Sequence, residues 1–321
     1  MGSTPQVLVT NEFPPETTGT AAEFVSAVRE RLPEVDVHLA TDYADTARRV
    51  RDAEIVVEHG FDHDLLEHAT DLRWINTLSS GADSYDLDVV TDLDATLTTV
   101  SGVHARPIAE HVFALMLHFE RGLGQGHEQQ RRHEWCRFSA GELGTQTLGI
   151  VGVGSIGGRV AELGAAFGMD VLGVRRNPSK PHPAVDELFA PEERHEPLGR
   201  SDYVVVACPL TDETEGLIGS EEFSSLSKDA VLVNVSRGEV VDQRALVEQL
   251  RTGYIGGAAL DVAETEPLPR DSPLWDLSNV VLTPHMAGGS PAFPRRCAEL
   301  FVENYRHFVE GRPEDMRNRI V

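Results

Sequence analysis

Short apolar runs rich in β-branched residues recur along the chain, separated by stretches in which apolar residues return every three or four positions. In the first hundred residues, runs at 6–10, 35–40, 54–59, 72–79 and 95–99 read as strands bounded by polar or small residues. Between them, 21–32 sets Phe24, Val25, Val28 and Leu32 on one helical face, and 62–69 has the spacing of a further helix. A second series starts at Thr147, with strands predicted at 147–152, 169–174, 202–208, 230–235, 256–262 and 279–283. Helices fill the gaps, most clearly at 156–167 and 243–252. Alternating strands and helices imply parallel sheets covered by helices on both faces. The predicted fold is therefore α/β, with two doubly wound parallel-sheet domains.

Between the two series a helix is expected to begin at Pro107, a residue suited to a first helical turn. Its stripe of Ile108, Val112, Leu115 and Phe119 suits packing against a neighbouring domain or subunit. The polar stretch 121–143 carries Gly122, Gly124 and Gly126 and ends around Trp135 and Phe138. It reads as an interdomain linker or as an arm reaching a partner subunit. After His285 a Gly/Pro-rich turn leads to an amphipathic helix at about 292–309, with Leu300, Phe301, Tyr305 and Phe308.

Composition narrows the class. At 321 residues the chain has room for two cores. No apolar run reaches the roughly 18–20 residues that span a bilayer, and no basic-then-apolar signal opens the chain. Three cysteines, Cys136, Cys208 and Cys297, stand too far apart for a disulfide framework or a metal site. A cytoplasmic protein without a metal is expected. The net charge of −24 disfavours nucleic acid and anionic membranes as partners. Only Lys180 and Lys228 of the 28 basic residues are lysines. One reading is adaptation to a salt-rich cytoplasm, where the Debye length falls to about 3 Å at 1 M. The other is codon bias toward arginine.

The clearest chemical signal is Gly152-Val153-Gly154-Ser155-Ile156-Gly157, which follows an apolar strand and opens a helix. That arrangement aims helix N–H groups at a pyrophosphate. Gly152 allows the tight turn, Gly154 the approach of the phosphates, and Gly157 close helix–strand packing, with Ser155 and Ile156 in the helix's first turn. The next strand ends in Arg175-Arg176-Asn177 with no carboxylate. Guanidinium groups grip a 2′-phosphate that a carboxylate would repel, so NADP(H) is favoured, with NAD(H) possible. Solvated arginines at an indifferent site are the plainer alternative. Downstream, the segments 234–238, 260–268 and 283–285 each close an apolar run and deliver Arg237, Glu266 and His285. They offer a cation for an anionic substrate, an imidazole to move a proton and a carboxylate to hold the imidazole. Glu264 competes with Glu266 for that last place.

With Ser80-Gly81-Ala82-Asp83, Ala109-Glu110-His111, Pro209-Leu210-Thr211 and 214–218 added, the chain resembles the D-isomer-specific 2-hydroxyacid dehydrogenases over almost its whole length. The resemblance implies a nucleotide-binding domain, 103–287, inserted into a discontinuous flavodoxin-like substrate domain, 1–102 and 288–321, with the active cleft between them. It implies reversible NAD(P)H-dependent reduction of 2-oxo acids to D-2-hydroxy acids in a homodimer. By the same resemblance His285 is the acid/base, Glu266 supports it, and Arg237 binds and polarises the substrate. Backbone N–H groups of Gly81 and Ala82 complete the carboxylate site, Asp261 lies near the nicotinamide amide, and Pro209 borders the cofactor.

Two rivals are weaker. A nucleotide-sensing corepressor of this fold works as a scaffold, and no added interaction tails are evident here. Formate dehydrogenases pair the histidine with Gln, where this chain has Glu266. The loop 58–61 is expected to wall the side-chain pocket, with Phe61, His104 and Trp135 as candidates for setting its size. No Lys or Arg in that loop points to a substrate phosphate. His59 and His63, four apart, are broken by Gly60 and have no third ligand. His127, Glu128 and His133 lack zinc-protease spacing.

Overall fold

The computed structural model describes residues 4–14, 19–60, 63–82 and 85–321. Phe61 and Asp83, both named above, lie outside the described residues. In chain order the elements are β1 (Gln6–Val9), α1 (Ala21–Arg31), β2 (Asp36–Leu39), α2 (Tyr43–Arg49), β3 (Ile55–Glu58), β4 (Trp74–Thr77), α3 (Leu87–Asp92) and β5 (Thr96–Thr98). Then come α4 (Ala105–Glu120), α5 (Leu123–Arg131), β6 (Thr147–Val151), α6 (Ser155–Phe167), β7 (Asp170–Val174), β8 (Glu187–Phe189), α7 (His195–Arg200) and β9 (Tyr203–Val206). The chain closes with α8 (Ser220–Ser225), β10 (Val231–Asn234), α9 (Gln243–Thr252), β11 (Gly257–Leu260), β12 (Val280–Leu282) and α10 (Phe293–Val309). It divides into two compact units, residues 1–104 with 289–321, and residues 105–288.

The first unit carries a five-stranded parallel sheet in the order β2-β1-β3-β4-β5. Successive side chains of a strand point to opposite faces, and here both faces are apolar. Val7, Val9, Ile55, Val57 and Trp74 pack on one side with Phe24 and Val28 of α1 and Phe301 and Phe308 of α10. Leu8, Val56, Ile75 and Leu97 form the core on the other side with Leu65 and Leu66. Thr20 starts α1 through a capping box, its hydroxyl accepting from Glu23 N at 3.2 Å while the Glu23 carboxylate accepts from Thr20 N at 2.8 Å. The Trp74 ring lies flat on Phe301, with centroids 4.9 Å apart. The C-terminal residues return to this sheet: Arg319 bridges Thr98 in antiparallel sense, and Ile320 N donates to Leu97 O at 2.8 Å.

The second unit has a seven-stranded parallel sheet ordered β12-β11-β10-β9-β6-β7-β8. Chain order reverses between β6 and β9, and ligands of such sheets bind beyond the strand C-termini at that point. Alternation again splits the strands. Leu148, Ile150, Val205 and Val233 face α4 and α6 residues such as Val112, Met116 and Val160. Val151, Val204, Val206 and Leu232 face Phe223, Leu246 and Leu250.

Departures from the sequence pattern have physical causes. Apolar runs at 147–152, 202–208, 230–235 and 256–262 outlast the strands β6, β9, β10 and β11 by one or two residues, because buried loops continue them. The edge strand β8 has three residues, too few to give a period. The helix expected from Pro107 begins at Ala105, and Pro107 sits in its first turn, where its missing N–H costs no bond. The described part of 62–69 is a 3₁₀ helix, His63–His68. The polar 121–143 stretch contains α5, a helix with no buried residue, so no apolar stripe announced it.

Truncating Phe301, which is fully buried against Trp74, should remove about 3–5 kcal/mol of unfolding free energy. Chemical denaturation of Phe301→Ala beside Val309→Ala, a residue half exposed on the same helix, measures this. Equal losses would contradict the packing.

Candidate active site

Gly152 follows β6 with φ +103°, and a Cβ there would stand 2.6 Å from Cys208 N. A Cβ on Gly157 would stand 2.1 Å from Gly152 O. The fold itself therefore demands both glycines. Gly154 is different: a Cβ there would meet nothing within 4 Å. Nothing inside the chain requires Gly154 to lack a side chain, and the space is open to a ligand. Gly154 is also the N-cap of α6, and no side chain caps that end. The first N–H groups of this 13-residue helix, at Ser155, Ile156 and Gly157, thus lack a side-chain cap, with the positive end of the helix dipole behind them. A pyrophosphate fits such a cradle. Beside it burial pushes the Cys208 thiol up to about 11, so the group is neutral at physiological pH. Pro209 follows Cys208 on the loop after β9, and its carbonyl accepts from the Thr214 hydroxyl at 2.6 Å.

The loop after β7 carries Arg175, Arg176 and Asn177. Arg175 N donates to Phe189 O at 3.0 Å, and its Nη1 donates to Lys180 O at 3.2 Å. Asn177 O accepts from Lys180 N at 3.2 Å, curling the loop. The Arg176 guanidinium reaches out to Glu213 at 3.6 Å, both side chains exposed.

Arg237, Glu266 and His285 stand on the loops after β10, β11 and β12, the same edge of the sheet. Asn234 sets the first loop: its amide donates to Arg237 O at 3.0 Å, and its carbonyl accepts from Ser236 N and Oγ. Arg237 itself is exposed, with Nη1 donating to Ser236 O at 2.8 Å. The adjoining Gly238 lies so close to Ala263 that a Cβ would come within 1.9 Å of its carbonyl carbon. Ala263 N in turn donates to Glu266 Oε1 at 3.1 Å, and Glu266 Oε2 lies 2.8 Å from His285 Nδ1. The loops of all three residues are thereby joined. Glu264, the other carboxylate of this stretch, accepts from Gln243 N at 2.8 Å at the start of α9. A carboxylate only accepts, so Nδ1 of His285 carries a hydrogen, and Nε2 remains for exchange with a ligand.

His285 has φ +49°, a left-handed conformation costing about 1–2 kcal/mol for a residue with a side chain. Asp261 holds it there. Its carbonyl accepts from His285 N at 2.7 Å, its Oδ1 from Met286 N at 3.0 Å, and its Oδ2 from Ala287 N at 2.9 Å. The Thr283 hydroxyl donates to Oδ1 at 2.5 Å, and His111 Nε2 lies 3.0 Å from that hydroxyl. Asp261 is 3% exposed. The observed partners of its carboxylate are thus the histidine turn and Thr283. Gly81 and Ala82, the other expected site residues, belong to the first unit, half buried on the loop after β4.

The profile described as "D-isomer specific 2-hydroxyacid dehydrogenase, NAD binding domain" matches residues 113–287. The glyoxylate reductase of Aeropyrum pernix is 37% identical, the match covering 99% of this chain and 97% of that one. The chain belongs to the D-isomer-specific 2-hydroxyacid dehydrogenase family. Among solved structures, a family member from Xanthobacter autotrophicus in complex with NADPH and MES is 31% identical with a TM-score of 0.82, covering 99% of this chain and 98% of that one. The NADPH-dependent glyoxylate/hydroxypyruvate reductase of Sinorhizobium meliloti, in complex with NADP and sulfate, is 27% identical with a TM-score of 0.81 and covers 98% of both chains.

For this dehydrogenase several residues with evident structural work carried no assigned role in the sequence: Asn234, Thr283 and His111. The signals were a polar residue closing an apolar strand at Asn234 and a histidine within the apolar stripe of α4 at His111. The glycine geometry makes a test. Gly154→Ala should keep the melting temperature and lose NAD(P)H binding about tenfold or more, since only the ligand meets the new methyl. Calorimetric binding and a melting curve measure both. A large melting loss with unchanged affinity would contradict the cradle.

Proposed function

We propose that this nicotinamide-dependent dehydrogenase reduces small 2-oxo acids with uncharged side chains to D-2-hydroxy acids, with NADP(H) preferred. The observation that carries the reading is the Glu266–His285 pair at 2.8 Å, joining the loops after β11 and β12 of the sheet. When bound, the nicotinamide would supply the hydride for the carbonyl carbon of the substrate. His285 gives a proton from Nε2 to the carbonyl oxygen as negative charge develops there, while the proton on Nδ1 stays on that nitrogen, donated to the Glu266 carboxylate. In oxidation the same nitrogen takes the proton back. Glu266 fixes the ring orientation and favours its protonated form. Arg237 pairs with the substrate carboxylate and polarises the carbonyl. The backbone N–H groups of Gly81 and Ala82 are the proposed complement for that carboxylate. Named relatives act on glyoxylate and hydroxypyruvate, which makes these the first substrates to try.

Arg175 and Arg176, with no carboxylate at the end of β7, support the preference for a 2′-phosphate. NADP(H) in two structural relatives points the same way. Asp261, the proposed neighbour of the nicotinamide amide, also holds the turn that carries His285. For assembly we propose a homodimer, supported by Trp135 at 99% and Leu123 at 55% exposure on a segment without buried residues. A reducing cytoplasm suits three free cysteines, and no helix among the described residues is long and apolar enough to cross a membrane.

His285→Ala should lower kcat with glyoxylate about 10²- to 10⁴-fold. Replacing Arg175 and Arg176 by alanine should raise the KM for NADPH about tenfold or more and leave that for NADH nearly unchanged. Steady-state kinetics with both cofactors decide; equal losses for the two would remove the 2′-phosphate assignment. The net charge of −24 supports adaptation to high salt. The melting temperature should then rise steadily as KCl goes from dilute buffer past about 1 M, where repulsion is screened. Full stability and activity in dilute buffer would contradict it.

A further inference from the structure

We propose that His111 is a positioning residue for His285, acting from α4 through Thr283 and Asp261; this rests on the reading of His285 as proton donor. His111 lies among the apolar residues of α4, with its side chain 17% exposed. Its Nε2 is 3.0 Å from Thr283 Oγ1 and 3.7 Å from Asp261 Oδ1. Thr283 has one hydroxyl hydrogen. At 2.5 Å from Asp261 Oδ1 that hydrogen goes to the carboxylate, which can only accept. The hydroxyl oxygen must then accept from His111, so Nε2 of His111 carries a hydrogen whether the ring is neutral or charged. The direction of the relay follows: helix to Thr283, and Thr283 to Asp261.

Each link fixes the next. Thr283 N donates to Leu260 O at 3.0 Å, and Thr283 O accepts from His285 N at 3.0 Å, which ties the start of the turn to β11. His111 sets the rotation of the Thr283 hydroxyl. The hydroxyl holds one oxygen of Asp261 in the plane where it meets Met286 N at 3.0 Å, leaving the other for Ala287 N at 2.9 Å. These two N–H groups keep His285 in its left-handed conformation, from which Nδ1 reaches Glu266. Without the donor on α4 the Thr283 hydroxyl keeps only its bond to Asp261, the pair is held less tightly, and the imidazole loses its fixed aim. Small misplacement of a reacting group is costly to the chemical step and nearly neutral for cofactor binding, which depends on the glycine cradle.

The test uses full-length His111→Leu, His111→Gln and Thr283→Val with glyoxylate and NADPH. His111→Leu should lower kcat about tenfold or more while the KM for NADPH stays within about twofold. His111→Gln, which keeps a nitrogen donor of similar reach, should recover most of that loss. Thr283→Val should match His111→Leu, and the double variant should be no worse than either, because both break one relay. Wild-type kcat in His111→Leu, or in Thr283→Val should the leucine variant fail to fold, overturns the proposal. So does a glutamine variant as impaired as leucine. Loss of activity in His285→Ala beside full activity in His111→Leu removes this inference alone; full activity in His285→Ala removes the underlying reading as well.

Discussion

A buried carboxylate beneath a turn organises the half of this site proposed for acid–base chemistry. Asp261, 3% exposed, gathers the N–H groups of residues 285, 286 and 287 onto its own carbonyl and both side-chain oxygens. Such a charge is tolerable inside a protein only when its acceptor sites are filled, and here the turn it holds fills them. The exchange is mutual. The turn gains a conformation that its side-chain-bearing residue would not adopt alone, and the carboxylate gains donors. His285 therefore stands at 2.8 Å from Glu266 although both side chains are substantially exposed and their ion pair in isolation would contribute little.

The division of labour along the strand ends follows from the same logic. The cradle after β6 works through backbone, so its requirements are for glycine, and two of the three glycines are forced by contacts inside the chain. The loops after β10, β11 and β12 work through side chains, so each carries a polar residue that locks its backbone: Asn234 for the arginine turn, and Asp261 with Thr283 for the histidine turn. An acidic chain that is to bind an anionic cofactor and an anionic substrate works against its own field. Arg175, Arg176 and Arg237 are the local answer to it in the proposed reading, and salt would weaken the field at distance more than the contacts at hydrogen-bond range.

Much of this was legible in the sequence. Runs such as Leu148 to Val151 and Tyr203 to Val206 carry no charged position because both faces of their sheet are covered, and their alternation with helical stretches implied the parallel architecture. The glycine triplet was readable because backbone geometry leaves few residue choices. Less was readable where a residue's role depends on a distant partner. His111 and Thr283 are 172 positions apart, and nothing in either segment announces the other. Glu264 and Glu266 differ in the sequence only by register, and in space by partner: one meets Gln243 N, the other His285. Helix α5 buries nothing of its own, so it has no periodicity to read.

The Asp261 carboxylate, and not the sequence of the turn itself, fixes the histidine. Amide hydrogen exchange at Met286 and Ala287, compared between the native chain and Asp261→Asn, tests it most directly. The amides should be protected in the native chain although Met286 is 48% exposed, and should exchange about tenfold or more faster in the variant together with a fall in kcat. Unchanged protection at both amides, with turnover intact, would contradict it.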